Sequence, residues 1–182
     1  YEAMGGMRSV AWTDVTQGAI LFIGVLVLFG AAIFAYGGTE SMTTTLEKHR
    51  PELWVLPDFR LLTTWLGTVI LLGLGNALYP HTVQRIYAAR SDRALQRSLQ
   101  IMVFMPLFTS FLMILIGLMA AARFPGLDQT GSDQAIMFIL RDLAANSALM
   151  KGVGVIFIAA VIAATMSTID SGANSISTIV TI

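Results

Sequence analysis

Ala164, Ser167, Thr168, Ser171, Asn174, Ser175 and Thr178 recur every three or four residues, so on a helix they share one narrow face. Hydroxyl oxygens on such a face, joined by backbone carbonyls that a neighbouring helix leaves free, can replace part of the water shell of a small hard cation. Sodium is the obvious one. The competing reading is packing, because small and hydroxylated residues also let membrane helices approach closely. Asp170 interrupts the same apolar run. An ionisable residue there is costly in lipid, so it marks either a cation site or the point where the helix meets water. Asp14, within Trp12-Thr13-Asp14-Val15-Thr16-Gln17, has a similar pair of readings. It is either a charge at a helix start or a carboxylate that faces the bundle and shares one cation route with the later helix.

Gly73-Leu74-Gly75-Asn76, followed by Tyr79-Pro80, predicts a helix weakened or unwound halfway across a membrane. Non-helical backbone at that depth must line a cavity or be buried in protein, and broken segments of this kind point to transporter binding sites. Asn76 would then offer a donor and an acceptor to a solute. Glycines that merely permit close helix packing are the alternative. His49 and His81 are too few and too isolated for a metal cluster, and with no cysteine there is no thiol chemistry or disulfide framework. His81 reads as an interfacial residue, and Arg85 as an anchor to phosphate or a helix-end cap. No phosphate loop, helical His-Glu-x-x-His or Ser/His/Asp set is present.

The elements that must position these groups are membrane helices. Hydrophobic residues make up 55% of the 182 and charged residues 12%, about half the charge density of a soluble domain. The mean hydropathy of +0.74 agrees, and a net charge of zero argues against nucleic acid as a partner. Four stretches are long enough to span a hydrocarbon core: Gly18 to Tyr36, Leu61 to Pro80, Ser98 to Ala122, and Gly152 onward. Thr13 and Asp14 are the expected helix-start residues of the first. Pro106 predicts a kink in the third. Ser132 and Asp133 are expected to cap a surface helix over Gln134 to Leu140. The short segment from His81 to Arg97 carries Arg85, Arg90, Arg93 and Arg97. By arginine density it lies on the cytoplasmic side, with residues 39–60 and 123–150 outside. Tyr1 and the uncapped Ile182 suggest a piece cut from a longer chain at both ends.

Three segments together resemble the sodium/solute symporter family. They are Gly5-Gly6 through Trp12-Thr13-Asp14 to Gln17; Gly73-Leu74-Gly75 leading to Tyr79-Pro80-His81-Thr82-Val83-Gln84-Arg85; and Ala163-Ala164-Thr165-Met166-Ser167-Thr168-Ile169-Asp170-Ser171. They stand in family order, and the likeness covers essentially the whole chain. The resemblance implies an all-α membrane protein, a partial leucine-transporter-like inverted-repeat bundle. It would have about four transmembrane helices, the second broken, near residues 13–37, 61–86, 97–123 and 150–182 of a single region 1–182. It also implies a main sodium site from the Ala164 carbonyl and the Ser167 and Thr168 hydroxyls. The missing N-terminal helices of the full-length chain would complete it. A second sodium site would draw on Asp14, Ser167, Asp170 and Ser171. Aspartate at 170, where other members have serine, would strengthen that site or make it proton-sensitive.

Sodium-coupled symport of a small organic solute across the plasma (inner) membrane is therefore the expected function, in a multi-pass integral protein rather than an enzyme. Substrate would sit near Leu72, Gly75 and Asn76. Sugar-transporting members have a Tyr-Trp pair about where Gly75-Asn76 stand, and proline-type members a tryptophan near Leu72. Neither sugar nor proline is supported, and organic acids, amino acids and vitamins stay open. A transporter-like sensory domain of a histidine kinase and a purely structural bundle are the other readings.

Overall fold

The structure is a computed structural model. It describes the backbone of residues 2–87, 89–127, 129–145 and 147–180, and their side chains except at 2–10, 76, 77, 80, 81, 84, 85, 129, 171, 174, 175 and 177–180. Helix α1 (Glu2–Ala35) ends at Gly37 and Gly38. Their positive φ values, 78° and 79°, are conformations that side chains with a Cβ rarely adopt, and the chain reverses there into α2 (Gly38–His49). A 3-10 turn at Pro51–Trp54 follows. Asp58 caps α3 (Phe59–Leu78) by accepting the Leu61 N–H at 2.7 Å. After α4 (Pro80–Tyr87), Ser91 caps α5 (Asp92–Arg123), which stays helical through Pro106. Short α6 (Gln129–Asp133) and α7 (Ala135–Ala145) lead to α8 (Ala148–Val180), whose first turn is capped by the Ser147 hydroxyl.

Three of these helices are long and apolar enough to cross a membrane: Ala11–Ala35, Asp92–Arg123 and Ala148–Asp170. Phe59–Gly75 is a shorter apolar helix. No strand occurs among the described residues. The chain is an all-α membrane protein. Its buried centre joins α1, α5, α7 and α8, with Leu28, Ile116 and Ile139 fully enclosed. Between membrane helices such side chains contribute through close packing rather than through removal from water. Phe157 of α8 lies over Gly24 of α1 so closely that a Cβ there would come within 2.7 Å of its ring. That contact brings α1 and α8 together. By contrast α3 is exposed from Phe59 to Leu74 and packs against α4, which in turn packs on α8.

Three sequence expectations need correction. Thr13 and Asp14 do not start a helix, since α1 begins at Glu2 and carries them in its interior. The glycines at 73 and 75 do not unwind α3, which continues to Leu78. Glycine costs only about 1 kcal/mol relative to alanine and keeps its N–H. The interruption falls at Tyr79, extended at ψ 129°, because a following proline disfavours the helical conformation. Nor do Ser132 and Asp133 cap the surface helix. Both lie in α6, and the Gln134 carbonyl receives the first amides of α7, from Met137 at 2.9 Å and Phe138 at 3.1 Å.

Candidate functional site

Asp14 sits on the side of α1 that meets α8. Because the helix starts twelve residues earlier, Asp14 is no longer at a terminus and its half-buried carboxylate turns inward. There it accepts a hydrogen bond from the Ser167 hydroxyl, 153 residues away in sequence. Ser167 is the one buried polar or charged residue among those described, with 5% of its surface exposed. One residue further along α8, the exposed Thr168 hydroxyl donates to the Ala164 carbonyl at 3.0 Å. In both cases the hydroxyl proton is engaged, so the oxygen's lone pairs are left as the groups available to a cation.

A further oxygen belongs to the same side of α1. Gln17 lies one turn beyond Asp14, and its Oε1 is buried without a hydrogen-bond donor. Buried acceptors are rarely left in that condition. The local set is thus a carboxylate, an amide oxygen, hydroxyls and a main-chain carbonyl, with no nitrogen or sulfur required. Oxygen donors of this kind fit a hard cation such as sodium and suit softer transition metals poorly. Among the described residues no group of three histidine, cysteine or acidic side chains is arranged to hold a metal ion.

The sequence-predicted residues divide in this geometry. Ser167 meets Asp14 where α1 packs on α8, whereas Thr168 is exposed and bonds the Ala164 carbonyl within its own helix. Asp170 is half-buried one turn beyond Ser167 on α8. The side chains of Ser171 and Asn76 lie outside the described residues. Leu72 is 63% exposed, and a Cβ added at Gly75 would meet nothing within 4 Å. The structure therefore does not bring Leu72 and Gly75 onto the Asp14–Ser167 pair. Gln17 was not singled out from sequence as a site residue. Its three-residue spacing from Asp14 was the available signal, but which face of α1 is covered depends on α8.

About 33 Å along α1 from Asp14, at 1.5 Å per residue, a second polar cluster closes the other end of the bundle. Asp142 of α7 accepts from the Tyr36 hydroxyl at 3.0 Å and pairs with Arg123 Nε at 3.4 Å. The Arg123 guanidinium also lies 5.8 Å from the Tyr36 ring centre. Burial, reinforced by the Asp142 carboxylate, pushes the Tyr36 hydroxyl well above its ordinary pKa. These groups border a cavity of about 860 Å³ between the ends of α1, α2, α5 and α7.

The profile of the sodium:solute symporter family matches residues 1–182. The chain is 33% identical over 178 residues to the sodium/pantothenate symporter of Haemophilus influenzae, an alignment that covers 94% of this chain and 34% of that protein. It is 28% identical over 173 residues to the high-affinity proline transporter PutP of Bacillus subtilis, covering 94% and 35%. Against the sodium/glucose cotransporter of Vibrio parahaemolyticus it is 26% identical over 214 residues, covering 100% and 37%. The chain spans about a third of the length of these curated relatives. No solved structure matches it at comparable significance. With its whole length matched by the family profile, and two of that family's resembling segments joined by the Ser167–Asp14 hydrogen bond, the chain belongs to the sodium:solute symporter family.

Proposed function

We propose that this chain is the part of a sodium-coupled symporter that carries half of its cation site. Sodium, as co-transported cargo, is held by the Ala164 carbonyl and the Ser167 and Thr168 hydroxyls. Asp14, Asp170 and Ser171 form a second position beside them, with the Gln17 amide oxygen contributing from α1. The observation that carries this reading is the hydrogen bond from Ser167 to Asp14. It joins two family motifs at one point, burying a hydroxyl against a carboxylate within apolar helices. A membrane interior tolerates such a group poorly unless it serves a pathway or a ligand.

Each residue has a separate task. The Asp14 carboxylate offsets the charge of the arriving ion, and the Ser167 and Thr168 oxygens replace water around it. Neutral ligands keep the site weak enough to release its cargo. A small organic solute binds beside the Leu72, Gly75 and Asn76 stretch, and coupling arises because the ligands favour one of two arrangements of the helices over the other. Pantothenate, named in the relative at 33% identity, is the first solute to assay.

The full-length protein, reconstituted in proteoliposomes, provides the test. An inward sodium gradient should drive accumulation of labelled pantothenate above the level reached with potassium. The Ser167→Ala and Thr168→Ala variants should require more sodium for half-maximal uptake. Unchanged sodium dependence in both variants overturns the cation assignment. Loss of sodium coupling with wild-type pantothenate binding would instead locate the fault in the cation site alone.

A further inference from the structure

We propose that Val83, Ile86 and Tyr87 of α4, together with Arg90, Arg93 and Arg97, form a binding surface for anionic phospholipid headgroups. Two independent features meet there. Arg90, Arg93 and Arg97 are exposed, and none of the three pairs with a carboxylate among the described residues. Arg93 and Arg97 are one turn apart on the first turns of α5, so both guanidinium groups project from one side. Asp92 is the one acidic residue between Val83 and Arg97, against four arginines, leaving an excess of three positive charges. Immediately before them, Val83, Ile86 and Tyr87 of α4 are 36%, 41% and 85% exposed, although α4 is held against α8 and α3.

Position decides what such a surface meets. The apolar run of α5 begins at Leu99, so Arg97 stands about half a turn and Arg93 nearly two turns outside the hydrocarbon, at phosphate depth. Tyr87 is suited to the same boundary, with an apolar ring and a polar tip. An acidic protein or a free anion would satisfy the arginines but leave the exposed apolar edge of α4 in water. A phospholipid satisfies both: acyl chains cover Val83, Ile86 and Tyr87, and the phosphate lies between the guanidinium groups. Arginine suits this task, because its planar fork can grip phosphate oxygens in pairs. A net negative headgroup is favoured over a zwitterionic one, whose choline charge would oppose the unpaired arginines. Each basic residue near an anionic surface is worth about five-fold in binding. The surface is distinct from the cation cluster and does not depend on its assignment.

Native mass spectrometry of the purified full-length protein, titrated with palmitoyl-oleoyl phosphatidylglycerol or the matching phosphatidylcholine, reads this directly. The wild type should retain phosphatidylglycerol preferentially, and higher salt should weaken that binding. Arg93→Gln with Arg97→Gln should lower phosphatidylglycerol affinity about 25-fold, with little change for phosphatidylcholine. Lysine at both positions should restore much of the difference, which a fold defect would not allow. Should the double variant not fold, the single Arg97→Gln variant should lose about five-fold. Equal retention of the two lipids, insensitivity to salt, or an unchanged preference in the variants overturns the proposal. Displacement by excess inorganic phosphate would assign the arginines to a free anion, and likewise overturns it.

Discussion

Replacing Gln17 with methionine separates a cation ligand from a packing residue by moving two quantities in opposite directions. Methionine keeps the unbranched shape but removes the buried oxygen that has no donor. An unsatisfied buried polar group costs about 1–3 kcal/mol, so without sodium Gln17→Met should be more stable than the wild type by up to that amount. With sodium the order should narrow or reverse. An oxygen facing a charged partner contributes on the scale of about 1.5–3 kcal/mol, so losing it should weaken sodium binding at least ten-fold. At saturating sodium that removes about 1.4 kcal/mol of ligand-induced stabilisation for each ten-fold. Thermal unfolding of the detergent-solubilised full-length protein, in sodium and in potassium, measures both effects. Sodium titration of uptake checks the affinity independently. Lower stability of the variant in potassium would mean that the amide serves the protein fold. An unchanged sodium-induced shift would remove Gln17 from the cation site.

Other consequences follow from packing and charge. Gly24→Ala should destabilise by about 1–3 kcal/mol, since its Cβ would reach within 2.7 Å of the Phe157 ring. Adding Phe157→Leu should recover part of that loss, and additive destabilisation in thermal unfolding would refute the contact. Gly73→Ala should be neutral or slightly stabilising, because the position is helical with open space around it. A large loss of thermal stability would show a backbone break there. Asp142→Ala should cost about 1–2 kcal/mol by stranding the Tyr36 hydroxyl. Asp142→Asn retains an acceptor and should cost under about 1 kcal/mol, the partly exposed pair with Arg123 being weak; equal losses in chemical unfolding would contradict this. Tyr36 has its pKa raised by burial, so its neutral form is favoured in the folded protein. That stabilisation is present below about pH 10, the unfolded value, and is lost as pH rises toward the folded one. Unfolding temperature should therefore fall less steeply above about pH 10 in Tyr36→Phe than in the wild type.

Composition and apolar run lengths were enough to define an all-α membrane protein, because lipid admits few other ways to satisfy a buried backbone. Helical periodicity was enough to put Ala164, Ser167 and Thr168 on neighbouring positions of one helix, because side-chain direction over three or four residues is a local property. Which groups face them is not local. Asp14 had two readings in the sequence, and only the packing of α1 on α8 turned it onto Ser167; that the Gln17 oxygen one turn away is buried is likewise a tertiary fact. The Gly24–Phe157 contact that permits this approach joins segments more than 130 residues apart, and no periodicity within either segment announces it. The break in the second span shows the same division at shorter range. Glycine and proline both looked like breakers, but glycine retains its amide hydrogen and the helix passed through it. Pro80 has none, and it acts on the residue before it, so the chain opens at Tyr79. The chemical kinds of polar group were thus legible in the residues, whereas the meeting of Asp14 with Ser167 was decided by which helix faces the apolar core could bury together.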